Sequence, residues 1–159
     1  MIDNIYNTRI LELAADVPRR GRLANPDATA TAHSKLCGST VTVDVTLTDG
    51  RVSDFAHDSK ACALGTASAS ILARNIIGAS PQDLREARDV LRAMLKENGL
   101  PPSEGKWADL AVLEPVRDYK ARHTSTMLAF DAVTKAVDEI ESRNMAAHTG
   151  IDKAHIAVR

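Results

Sequence analysis

TVTVDVTLTDGRVSDF, residues 40–55, alternates between two kinds of side chain and then turns back on itself. Val41, Val43, Val45 and Leu47 occupy odd positions, and Thr40, Thr42, Asp44, Thr46 and Thr48 occupy even ones. A period of two is the pattern of a strand with one face on a core and the other facing polar surroundings. Asp49-Gly50 follows at once, a dipeptide suited to a two-residue hairpin turn, and a further strand is predicted around Val52 to His57. Upstream, Ala28 to Leu36 also alternates, with its small and apolar residues on even positions. The parity therefore switches between Leu36 and Val41, which requires a turn or bulge at Cys37-Gly38-Ser39. The three strands read as an antiparallel meander, with Cys37 at the polar side of its first connection.

Helices are predicted on either side of the meander. Ile5, Ile10, Leu11 and Leu13 gather on one side of a short N-terminal helix that ends before VPRRG. A second helix starts at Ala63, with Cys62 at its mouth and Leu64, Ala67, Ile71 and Leu72 on one side. The stretch GASP closes that helix and opens another from about Pro81 to Lys96. After the loop NGLPPSEGK a short helix is expected around Trp107 to Leu113, then an irregular segment containing His123. A last helix runs from about Thr126 to Ser142, with Thr124 or Ser125 as its N-cap. The expected organisation is one domain over residues 1–144 and a poorly ordered tail over 145–159, where no apolar period is visible.

Composition narrows the function. The chain has 159 residues, 20 basic and 21 acidic, so its net charge of -1 and lack of a basic, aromatic-bearing cluster argue against nucleic acid as a partner. No apolar run is long enough for a membrane span, and MIDNIYNTRILELAADV lacks the basic and apolar regions of an export signal. A cytoplasmic protein with reduced thiols is the expectation, and only two cysteines are present. In Cys37 a thiol sits beside a glycine that lets the backbone approach a ligand, and in Cys62 a thiol sits where helix N–H groups favour thiolate. The bland reading is that each is a small buried hydrophobe. Their spacing fits neither a C-x-x-C pair nor a zinc-finger pattern. ALGTASAS lacks the lysine and glycines of a phosphate-binding loop and reads as a close-packing helix face.

LCGS, VSDFAHDSKACALGTASASIL and VRDYKARHTSTMLAFDAV occur in the order and spacing of a known family. Over about residues 5 to 142 the chain resembles the NifU N-terminal, IscU and SufU family of iron-sulfur cluster assembly scaffolds. The resemblance implies an α+β fold, a three-stranded antiparallel sheet packed against helices with the site loops at one end, and the predicted element order agrees with it. Cys37 and Cys62 match two of the family's three cysteines. The aspartate of the family's CGD motif corresponds to Ser39, and the third cysteine corresponds to Ser125. A histidine that precedes the third cysteine in one branch has Thr124 in its place here, with His123 one residue earlier. The extra GLPPSEGKWADL is more like the SufU branch, and the chaperone-binding LPPVK of the IscU branch is not matched.

The implied site is Cys37, Cys62 and His123, two soft thiolates and an imidazole, which suits an iron-sulfur cluster or iron, or alternatively zinc. A fourth ligand is left open among water, Asp58, another subunit and a partner's persulfide. Ser39 and Ser125 are expected to satisfy turn and helix-cap groups, since neutral hydroxyls are poor ligands for soft metals. The implied role is a non-enzymatic scaffold or carrier partnered by a cysteine desulfurase and cluster-recipient proteins. The alternatives are a zinc-bound sulfur acceptor and an interaction module that retains its thiols for packing. Whether the chain forms a homodimer around a cluster is left open.

Overall fold

The computed structural model describes residues 7–158 in backbone, with side chains up to residue 147. The sheet contains β1 (Ala28–His33), β2 (Thr40–Thr48) and β3 (Arg51–Lys60) in the order β1-β2-β3, antiparallel throughout. Asp49 and Gly50 both take left-handed backbone angles, φ 52° and 77°, as the tight hairpin between β2 and β3 requires. The pairing of Val45 with both Ala28 and Phe55 puts these three on the core face, together with buried Val41, Val43 and Ala30. A register shift between Thr46 and Leu47 is absorbed close to the hairpin.

The described residues form four α-helices, α1 (Thr8–Ala15), α2 (Ala63–Asn75), α3 (Pro81–Lys96) and α4 (His123–Val158). Between α3 and α4 lie 3-10 helices at Ala108–Asp118 and Lys120–Arg122. α4 lies against β1 and β2 on one side and against α2 and α3 on the other, so Phe130, Val133 and Val137 form the centre of the core. α2 is buried from Leu64 to Ala73, which its run of small residues permits. α3 is amphipathic, with Leu84, Leu91 and Met94 inside and a Ser80/Asp83 capping box fixing its start at the expected Pro81. Among the described residues, no helix is long and apolar enough to cross a membrane.

The segment from Pro18 to Leu23 closes the open side of the sheet. Gly21 N–H donates to the His57 carbonyl at 2.9 Å, and His57 N–H donates to the Arg19 carbonyl at 3.0 Å, which covers the free edge of β3. His57 is buried and its charged form is disfavoured by that burial. Its Nε2–H donates to the Pro18 carbonyl at 3.1 Å, and its Nδ1 accepts from Ser59 Oγ at 2.7 Å. Asp44, on the polar-patterned face of β2, is fully buried under the same segment. Its carboxylate accepts from Arg22 Nε (2.7 Å), Leu23 N (3.0 Å) and Thr29 Oγ1 (2.5 Å). Burial alone pushes this carboxyl up, but the hydrogen bonds from Arg22, Thr29 and Leu23 hold it below the usual carboxylate range.

Several boundaries differ from the expectations. β1 ends at His33 instead of Leu36, because Ser34 already accepts from Gly38 N–H and donates its own N–H to the Ser39 carbonyl, closing a turn. The irregular segment after Leu113 is instead 3-10 helix, a geometry that tolerates Pro115, which has no N–H to donate. The last helix begins at His123, not Thr126, and continues to Val158 instead of stopping near Ser142. The backbone of residues 145–158, where the tail was expected, is helical; Ile5 and Arg159 lie outside the described residues.

Candidate functional site

Both thiols are carried to the same end of the sheet by the register. Thr40 pairs with His33 on one side and with Lys60 on the other, so the 34–39 turn and the Ala61-Cys62 connection leave β1, β2 and β3 together. Gly38, at φ +71°, makes the turn, and a Cβ there would meet nothing within 4 Å, so its requirement is conformational and not one of space. Cys37 is exposed, while Ser34 and Ser39 are buried beneath it. Its Sγ lies 3.4 Å from Ser34 Oγ and 3.0 Å from Ser39 Oγ. Hydrogen bonds from the Ser34 and Ser39 hydroxyls and the Ser39 N–H, with the charge of Arg122 nearby, lower this thiol from 9.0 to about 7. Near neutral pH, Cys37 is therefore a solvent-facing nucleophile with a large thiolate fraction.

Cys62 occupies the N-cap of α2 but makes no capping hydrogen bond with its side chain. Instead its S–H points to Ser125 Oγ at 3.7 Å. Ser125 is buried in the first turn of α4 and donates its own hydroxyl to the Arg122 carbonyl at 3.1 Å. Close approach of the two helix starts depends on Gly65, where a Cβ would sit 2.9 Å from Ala61 Cβ and 3.0 Å from the Ser125 carbonyl oxygen. The three loops thus converge: Arg122 acts on Cys37, and three residues later Ser125 touches Cys62.

His123 is placed differently from the loop position expected for it. As the first residue of α4 it is buried, and its Nε2–H donates to the carbonyls of Val116 (3.1 Å) and Arg117 (3.0 Å). The ring faces the end of the preceding 3-10 helix and has only Nδ1 left for a ligand. Asp58 is exposed on β3 opposite Thr42, on the face away from the core. Among the described residues, no group of three or more His, Cys, Asp or Glu side chains is gathered so that it could hold a metal ion. Two thiols, each beside a serine hydroxyl, are what the converging loops present.

The roles of Ser39 and Ser125 also differ from expectation. Neither hydroxyl serves as a turn or N-cap acceptor; each is in contact with a cysteine sulfur. Ser34 and Arg122 are not singled out by the sequence, since Ser34 falls on the alternating pattern of β1 and Arg122 is one cation among 20 basic residues. If the serine contacts tune Cys37, alkylation of the Cys37 peptide by iodoacetamide should rise with pH about a midpoint near 7. Ser39→Ala should move that midpoint upward by about 1 unit, toward that of an ordinary thiol. An unchanged midpoint, read by mass spectrometry of the alkylated peptide, would remove the hydroxyl from the account.

Comparison with known proteins gives a consistent set of relatives. A family profile described as the NifU-like N terminal domain matches residues 5–126. The chain is 27% identical over 138 residues to the iron-sulfur cluster assembly scaffold protein IscU of Thermotoga maritima, covering 86% of this chain and 94% of that protein. The crystal structure of a nitrogen-fixing NifU-like protein (N-terminal) from Brucella abortus is 62% identical, with a TM-score of 0.86 over 89% of this chain and 97% of that one. A putative scaffold protein for the SUF system from Fervidobacterium islandicum has the same fold, at 19% identity and a TM-score of 0.76, over 83% of this chain and 96% of that one.

Proposed function

The chain belongs to the family of the NifU-like N terminal domain, and from that premise we propose that it is an iron-sulfur cluster assembly scaffold whose cargo is held through Cys37 and Cys62. The observation that carries the site assignment is the convergence of an exposed, acidified Cys37 thiol with Cys62 at the mouth of α2, at one end of the sheet. Thiolates are the usual ligands of iron-sulfur clusters, and a thiol ionised near pH 7 binds iron without a large cost of deprotonation. No turnover is required of such a site.

Two thiols are fewer than the four that commonly hold a cluster. A second copy of the chain, or a thiol of the donor or recipient protein, completes the set. An incomplete shell suits a carrier, because cargo held by few ligands is readily passed on. His123 joins the shell only by giving up its two carbonyl contacts or by offering Nδ1, and Asp58 only by reaching around the edge of the sheet. In this reading, sulfur comes from a cysteine desulfurase, and Cys37, exposed and nucleophilic, is the thiol that meets it.

The test is iron, acid-labile sulfide and zinc per chain, on protein purified without oxygen and again after reconstitution with a desulfurase, iron and cysteine. Equal iron and sulfide support the scaffold. Zinc near one per chain moves the assignment to sulfur transfer at the same thiols, and absence of all three leaves an interaction module.

A further inference from the structure

The face that α3 turns toward α4 carries Arg85, Arg88, Arg92 and Lys96, spaced three or four residues apart and so in one row. α4 runs antiparallel to it and answers the first two. Arg85 holds Asp138, with Nε at 2.9 Å, and also Glu141, and Arg88 Nε holds Asp131 at 2.7 Å. One turn further toward the start of α4 the facing residues are Met127 and Thr124, and the carboxylates stop. Arg92 and Lys96 are exposed, and neither has a carboxylate partner among the described residues.

This open half of the row is a groove. Two cavities of 230 and 330 Å³ share Lys96, the first passing Arg88 and Arg92, the second passing Arg117 and Lys120. Arg117 donates to the Gly99 carbonyl at 3.2 Å and lies 3.5 Å from Glu114, yet its Nε is buried with no partner. A buried donor without an acceptor costs stability unless something fills the role. In a chain of net charge -1, the two cavities are thus lined by Arg88, Arg92, Lys96, Arg117 and Lys120, and the single acid among their lining residues, Asp131, is already held by Arg88. Its far end is lined by His123 and Thr124, next to Ser125 and hence to Cys62.

We propose that this groove docks an acidic segment of a partner protein, which supplies the carboxylates that α4 lacks. From Arg88 to Lys96 the helix rises about 12 Å, enough for about four residues of extended chain, so a segment with two or more carboxylates spans it. The segment's protein then lies beside the thiol loops. That last step rests on the function proposed above; the docking itself does not.

The probe is fluorescein-labelled hexaglutamate, followed by anisotropy on the full metal-free chain at about 0.15 M salt, where long-range attraction is screened. Saturable binding is expected, weakened at least about tenfold in Arg92→Glu/Lys96→Glu. Arg19→Glu/Arg20→Glu makes the same change of charge at the β3 edge and is expected to stay within about twofold. Arg92→Gln/Lys96→Gln, without added repulsion, should fall between, and thermal unfolding checks that each variant is folded. Equal loss in the two reversed pairs, or no saturable binding to the unaltered chain, overturns the proposal. Displacement of hexaglutamate by lower concentrations of an oligothymidylate, or of anionic phospholipid vesicles, also overturns it and assigns the groove to that ligand. Because no metal is present, these outcomes are independent of whether the cysteines retain a cluster.

Discussion

Cys37→Ser and Cys62→Ser are each expected to reduce iron and sulfide retained after anaerobic reconstitution to near background, while the chain stays folded. With only two thiols available per chain, either substitution halves the soft-ligand set. A hydroxyl in its place is a poor ligand for iron in a sulfur-bridged cluster. Stability should change little. Cys37 is exposed and Cys62 only half-buried at a helix N-cap, a position where serine is itself favoured. Substitutions away from core features usually stay within ±0.5 kcal/mol, which for a domain of this size shifts the unfolding midpoint by roughly 2 °C or less. Metal content and thermal unfolding are therefore measured on the same preparations. Full retention of iron and sulfide in both variants would sink the assignment of these thiols, whatever the family's activity.

How much of this arrangement the sequence discloses depends on the range of the interactions involved. Strand parity, the Asp49-Gly50 turn, the helix start at Pro81 and the start of α2 after Cys62 are local signals, set within a few residues, and the structure has them where the pattern predicts. Asp44 reads in the sequence as one more polar residue on an outward face. Its burial comes from Arg22 and Leu23, more than twenty positions upstream, which fold back across the sheet. His123 is legible as a histidine near the site but not in its direction. Its ring is fixed by carbonyls of a 3-10 helix that the Pro115-containing segment does not advertise. The end of α4 escapes the sequence for a related reason. Beyond Ile140, the last buried core residue among the described side chains, there is no apolar period to read, yet the backbone continues as helix. For the thiols, their common end of the sheet follows from the meander, whereas the serines against each sulfur are tertiary contacts with no periodic signature.

Those serines lead to the second large effect. By the sequence resemblance Ser125 corresponds to the family's third cysteine, and its Oγ is 3.7 Å from Cys62 Sγ, in the first turn of the helix that faces the thiol loops. Ser125→Cys therefore places a third thiol in contact with the second without moving backbone. The exchange of oxygen for sulfur is small, and a thiol can still direct its weak S–H to the Arg122 carbonyl that the serine now uses. Partners outside the ligand shell alone change metal affinity by roughly 10–100-fold, so an added thiolate ligand should slow loss of a reconstituted cluster to a chelator by at least about tenfold. The measurement is the decay of the cluster's visible absorbance under argon, with Ser125→Ala as the control that removes the hydroxyl and adds no ligand. If the Ser125→Cys variant loses cluster as fast as the unaltered chain, Cys37 and Cys62 do not share cargo on the side where Ser125 lies. The convergence of the three loops would then be a packing arrangement, held by Gly65 and the helix starts, with no shared ligand shell behind it.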